Sequence, residues 1–94
     1  MTARETYIEN IKLELDGLNE QLSSFETKVT HARRDARERY TAELARLREH
    51  SRDALVKWEA LQTSGEASWH QWVSEMDRTR DVFIHAFHDF KARL

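Results

Sequence analysis

Large apolar side chains recur at intervals of three or four residues along almost the whole chain, from Ile8 to Leu94. This spacing places them on one face of an α-helix, whereas a strand would show alternating positions. The pattern therefore predicts an all-α protein in which contact between helices is the working surface.

Sequence signals for helix ends occur at two places. Thr2, followed by Glu5 three residues later, has the spacing of an N-terminal capping box. The one credible interruption is the stretch 62–65, where Gly65 is able to adopt a left-handed conformation and a hydroxyl group is able to cap a new helix. Gly17 lies between stripe positions, so we expect it to face solvent and to weaken the helix without breaking it.

These signals predict a single helical domain over residues 1–94. It comprises a long helix over 3–62, a turn over 63–65 and a C-terminal helix over 66–93. The apolar positions before and after the turn mirror each other, because facing pairs have position numbers with a constant sum, as expected for an antiparallel helical hairpin with coiled-coil packing. These pairs are Trp58 with Trp69, Leu55 with Trp72, Leu44 with Phe83, and Tyr40 with Phe87.

Residues 5–32 have no partner within such a hairpin, although their stripe is the most regular in the chain. A soluble monomer rarely exposes so long an apolar face. We therefore expect homodimerisation, most simply an antiparallel dimer that closes a dimeric helical bundle. The predicted interface residues are Ile8, Ile11, Leu15, Leu18, Leu22, Phe25 and Val29. The alternative is a second turn near 23–30, which would give three helices of similar length in one monomer.

The composition narrows the class of protein further. The 94 residues include 34% charged side chains and no Cys or Pro, so neither a disulfide framework nor a thiolate metal site is expected. No apolar run has membrane-spanning length and no signal peptide is recognisable, so we expect a cytoplasmic protein. A net charge of −2 provides no general attraction to nucleic acid.

Two His residues near the C-terminus have metal-ligand spacing. His85 and His88 share a helix face with Asp81, but that face lies opposite the aromatic residues and is expected to be wet. We therefore expect no metal site and no cofactor. We also expect no enzyme and no catalytic residue, because no Ser, His or acidic residue lies in a turn or glycine loop that would position a nucleophile.

The segment 31–40 is rich in arginine and resembles a phosphate-binding patch. Acidic residues interleave with the arginines at helical pairing distance, however, so we interpret the segment as a salt-bridged surface and expect no nucleic acid partner. The aromatic C-terminal helix similarly suggests a membrane-surface binder. Its polar face carries four carboxylates that anionic lipid would repel, so membrane binding is kept only as the alternative function.

Several short stretches resemble a family of small bacterial coiled-coil and stress-response proteins. The resemblance rests on Tyr7-Ile8-Glu9, Lys12 and Leu15-Asp16, then Gly65-Glu66-Ala67-Ser68-Trp69, and Phe90-Lys91-Ala92-Arg93 near the end. It implies an all-helical fold and expression under stress, without an assigned biochemical activity. Combined with the stripe, it predicts a non-enzymatic interaction protein that self-associates or docks on a partner protein whose identity the sequence does not reveal.

Overall fold

The computed structural model describes residues 2–94 and is all-α, with three helices packed against one another. Helix α1 comprises Ala3–Thr30, α2 comprises Arg34–Thr63, and α3 comprises Trp69–Arg93, preceded by a short 3₁₀ helix at Glu66–Ser68. The three helices form an elongated body that measures 51 × 21 × 18 Å.

The predicted long helix over 3–62 is wrong, because the chain turns at residues 31–33 and separates α1 from α2. No Gly or Pro causes this break. The amide of His31 donates a hydrogen bond to the carbonyl of Lys28, the amide of Ala32 donates one to the carbonyl of Val29, and Arg33 adopts an extended conformation. The turn gives up a few backbone hydrogen bonds, each with a net value of about 0.5–1.5 kcal/mol. It returns the α1 stripe to the core, which gains about 1.5–3 kcal/mol for each large apolar side chain.

The other helix ends follow local chemistry. The Thr2 hydroxyl accepts a 3.1 Å hydrogen bond from the amide of Glu5, so Thr2 caps α1 as predicted. At the second turn, however, Gly65 has φ −80° and ψ 171°, which is extended backbone. Gly65 therefore does not use the left-handed conformation that is open to glycine. The 3₁₀ helix begins directly after it, with Gly65 as its N-cap.

One continuous apolar core runs the length of the three helices. The α1 stripe from Ile11 to Val29 is buried, and α3 contributes Met76, Phe83, Phe87 and Phe90. The Phe25 ring lies 5.1 Å from the Phe87 ring and 5.4 Å from the Phe90 ring, centroid to centroid. Aromatic contacts between α1 and α3 therefore close the end of the bundle near the 31–33 turn.

The pairing of α2 with α3 differs from the predicted mirror register. Tyr40 contacts the ring of Phe90, and Lys57 lies over the ring of Trp72. Leu55 is 36% exposed, while its neighbour Ala54 is fully buried. The shift arises because α1 occupies the third position of the bundle, and α2 must divide its apolar face between two neighbours.

Candidate interaction surface

The residues predicted to form a dimer interface lie inside one chain. Ile11, Leu15, Leu18, Leu22, Phe25 and Val29 are buried against α2 and α3, and Ile8 is half-buried at the edge of the core. The reason for expecting a dimer at this stripe was that nothing covered it, and the structure removes that reason. Self-association of the protein remains a prediction.

Polar side chains join α1 to α3 on the side of the bundle away from α2. The Tyr7 hydroxyl donates a 2.5 Å hydrogen bond to Asp77 Oδ1. One turn beyond Asp77 on α3, Arg80 lies 3.5 Å from the carboxylate of Glu14 on α1. Arg80 also lies 3.3 Å from Asp81, its neighbour on α3. Burial opposes the charge of Arg80, but the carboxylate of Glu14 and the hydrogen bond to Asp81 outweigh it and raise the pKa of the guanidinium. These groups fix the position of α1 along α3.

Arg4 secures the first turn of α1, one turn before Tyr7. Its guanidinium donates hydrogen bonds to the carbonyls of Leu61 and Ser64, at the C-terminus of α2. It also lies over the ring of Trp69, 4.7 Å from the centroid. A cation placed on the last carbonyls of a helix complements the negative end of the helix dipole. Arg4 therefore attaches the first turn of α1 to the connection between α2 and α3.

An apolar groove lies on the outer face between α1 and α2, close to Arg4. Trp58 forms its floor and donates its indole N–H to the carbonyl of Ile8 at 2.8 Å. Leu13, 64% exposed, forms one wall. Leu55 precedes Trp58 by one helical turn and extends the apolar surface along α2. We call the groove lined by Ile8, Leu13 and Trp58 the Trp58 groove, and Leu55 flanks it on α2.

Charged side chains border the Trp58 groove. Glu5 and Glu9 lie along α1, and Lys12 places its ammonium group 5.4 Å from the centre of the Trp58 ring. Lys12 also forms a 2.8 Å ion pair with Asp16, which offsets its positive charge. The rim is therefore acidic around an apolar floor.

Sequence reasoning missed this groove for a definite reason. Leu13 lies off the apolar stripe, and the mirror pattern pairs Leu55 and Trp58 with the C-terminal helix, so the sequence does not bring these residues together. The available signal was Leu13 itself, a large apolar residue on the polar side of an amphipathic helix. Its meaning depends on the position of α2, which the sequence did not supply.

The other candidate chemistry is dispersed over the surface. His85 and His88 are exposed, and no three metal-ligating side chains converge anywhere in residues 2–94. Among the arginines of α2, Arg48 forms an ion pair across helices, with Glu26 of α1. Phe83, Phe87 and Phe90 are buried, so α3 does not present them to a membrane surface in this fold.

No helix within residues 2–94 combines the length and apolar character needed to cross a membrane. No family model, curated protein or solved structure matches the chain. The fold and its exposed groove define the class, which is a small all-α protein of three packed helices. The resemblance to bacterial coiled-coil and stress-response proteins stays a prediction.

Proposed function

We propose that this protein is a non-enzymatic interaction protein whose Trp58 groove binds an amphipathic helix of a partner protein. The observation that carries the proposal is the 64% exposed side chain of Leu13, which lines one groove together with Ile8 and Trp58, because exposed apolar surface of this kind marks interaction sites. A helix lying in a hydrophobic groove is a recurrent mode of protein recognition.

The acidic rim specifies the kind of helix. Glu5 and Glu9 border the groove on α1, and Glu59 follows Leu55 by one turn on α2, where it is exposed. A partner helix with an apolar stripe flanked by Lys or Arg would complement both the floor and the rim. Charge complementarity of this type chiefly controls the association rate and the choice of partner.

Site-specific photocrosslinking in cells that express the protein tests this proposal. A photoreactive amino acid replaces Leu13 in one variant and Val82 in the control, because Val82 is also apolar and 48% exposed but lies on α3. We expect a crosslinked partner at position 13, its loss after Leu55→Lys, and a mapped partner segment that is helical and basic. Equal crosslinking at both positions, or adducts that survive Leu55→Lys, would contradict the proposal.

A further inference from the structure

We infer that α1 is exchangeable between two copies of this chain, so that a dimer forms in which residues 3–63 become one continuous helix. In that dimer, each α1 lies against the α2 and α3 of the second copy. The face of α2 and α3 that α1 covers in the monomer is thus covered by the α1 of a second, identical chain. This inference goes beyond the Trp58 groove, which is present on both forms.

The connection at residues 31–33 has a chemistry that is compatible with a helix. It contains no Gly or Pro, and every backbone φ among the described residues is negative. Arg33, the N-cap of α2, makes no capping hydrogen bond with its side chain. Ala and Arg are among the strongest helix formers, so two of the three connecting residues favour the helical state. No residue of the connection therefore forbids a helix, and the local contacts at the turn, such as the exposed 3.2 Å hydrogen bond from the Arg37 guanidinium to the Ala32 carbonyl, are open to exchange.

Exchange of α1 preserves the core. The same α1 side chains would meet the same α2 and α3 side chains, now supplied by the second copy. What changes is the connection, where the amides of residues 33–36 acquire helical hydrogen bonds to the carbonyls four residues earlier, while those of His31 and Ala32 exchange their present bonds for helical ones. The opposing term is the loss of translational freedom of two chains, so the dimer is favoured at high protein concentration.

The register of α1 on α2 suits a pair of straight antiparallel helices. Contacts between α1 and α2 join residues whose position numbers add up to between 66 and 74, as in Ile8 with Trp58, Asn19 with Ser51, and Glu26 with Arg48. If two identical long helices pair in an antiparallel manner with these sums, a two-fold axis relates them. The axis crosses each helix at half the sum, which is at residues 33–37. That position adjoins the 31–33 connection, so straight long helices reproduce the α1–α2 contacts without a gap.

A proline at position 34 separates the two states. Arg34 is the first residue of α2, where proline is well accommodated, and Arg33 before it has φ −60° and ψ 148°, which suits a residue that precedes proline. The monomer therefore accepts Arg34→Pro. A continuous helix does not, because proline removes the bond to the carbonyl of Thr30 and clashes with the preceding turn. Arg34→Ala is the matched control.

The experiment refolds each variant at about millimolar concentration, because exchange of α1 requires it to detach, and then measures molar mass by light scattering. We expect the parent chain and Arg34→Ala to yield a species of twice the 11.2 kDa chain mass. Arg34→Pro is expected to remain monomeric. His31→Ala, which improves helix propensity in the connection of both chains, should raise the dimerisation constant roughly threefold to tenfold.

Spin labels then distinguish an exchanged dimer from one formed by surface contact. Cysteines replace Asn10 and Ala60 in one chain, which is mixed with excess unlabelled chain before refolding. In an exchanged dimer, the two labels are separated by about 75 Å, the length of a continuous helix. In the monomer or in a surface-contact dimer, they remain close, as the contact of Ile8 with Trp58 requires.

Three outcomes would overturn the inference. They are a parent chain that stays monomeric after refolding, an Arg34→Pro variant that dimerises equally well, and a dimer in which the two labels stay close. If Arg34→Pro fails to fold, three glycines inserted after Ala32 interrupt the continuous helix in a second way and should also abolish the dimer. Leu13→Lys blocks the Trp58 groove and should leave the exchanged dimer intact, so failure of one proposal is distinguishable from failure of the other.

Discussion

The Tyr7 hydroxyl in α1 donates a 2.5 Å hydrogen bond to the Asp77 carboxylate in α3, which joins the first and last helices of the chain. The Tyr7 ring also contacts the edge of Trp69, with centroids 5.8 Å apart. A single residue thus combines a polar and an aromatic contact across the bundle, and this pairing fixes α1 on α3 at a defined height.

Tyr7→Phe should destabilise the protein, because it removes the hydroxyl while retaining the ring. A hydrogen bond to a charged acceptor contributes about 1.5–3 kcal/mol, and the half-buried position reduces this to about 1–2 kcal/mol. Urea denaturation followed by circular dichroism measures the change. A loss below the experimental error would show that water replaces the bond without penalty. Tyr7→Phe combined with Asp77→Asn tests whether the two residues act as a pair.

Alkaline pH should weaken the same contact. Burial, together with the hydrogen bond to Asp77, raises the pKa of Tyr7 above its ordinary value of 10.0. Because the folded pKa is the higher one, the stabilisation is fully present below pH 10 and is lost as the pH rises toward the folded pKa. The parent chain should therefore lose stability more steeply above pH 10 than Tyr7→Phe does. Thermal denaturation of both chains between pH 8 and 11 measures this difference, and parallel curves would refute it.

Leu22→Ala distinguishes an internal stripe from an intermolecular one. Leu22 is fully buried within a single chain, so the substitution should reduce stability by about 2–5 kcal/mol. At low micromolar protein, this loss should be independent of concentration, since no second chain covers the stripe there. Leu13→Ala, at a 64% exposed position, provides the control and should change stability by less than about 0.5 kcal/mol. A denaturation midpoint that rises with protein concentration in the Leu22 series would argue for burial by a partner.

Gly17→Ala should stabilise the protein. Gly17 lies inside α1, and a β-carbon added there would meet no atom within 4 Å. The expected gain is about 0.5–1 kcal/mol, which corresponds to a rise of several degrees in Tm. Gly65→Ala is a useful comparison, because its extended backbone accepts a side chain and no destabilisation is expected. A marked loss of stability at either position would indicate a close approach that the structure does not show.

Arg4→Met should loosen the attachment of α1 to the connection between α2 and α3. Methionine keeps much of the aliphatic length but loses the hydrogen bonds to Leu61 and Ser64 and the charge over Trp69. We expect a loss of about 1–2 kcal/mol from the combined cap and cation–π contact. Arg4→Lys retains the charge without the planar guanidinium and should have an intermediate effect. Hydrogen exchange at the first turn of α1 should accelerate in the same order.

Sequence reasoning predicted those parts of the structure that depend on local pattern. The stripe from Ile11 to Val29 is buried, and Thr2 caps α1, because amphipathic spacing and capping chemistry act over a few residues. The all-α class follows from the same spacing.

The break at residues 31–33 could not be predicted in the same way. Thr27, Val29, Thr30 and His31 are weaker helix formers than Ala or Leu, but no residue among them forbids a helix. The turn is stabilised by the burial of distant side chains, and the register of α2 depends on it. The predicted packing of Leu55 against the C-terminal helix is wrong for this reason. The place of Leu13 in a groove beside α2 could not be predicted for the same reason.

The hydrogen bond from the Trp58 indole to the Ile8 carbonyl provides a built-in reporter of the first helix. The indole N–H proton of Trp58 keeps this hydrogen bond only while α1 lies on α2. Trp58 itself belongs to α2, from which α1 would detach. Its nuclear magnetic resonance signal and its exchange with heavy water would therefore time each departure of α1 in the unmodified chain. The rate at which α1 detaches from α2 is therefore measurable at a single atom, before any partner has been identified.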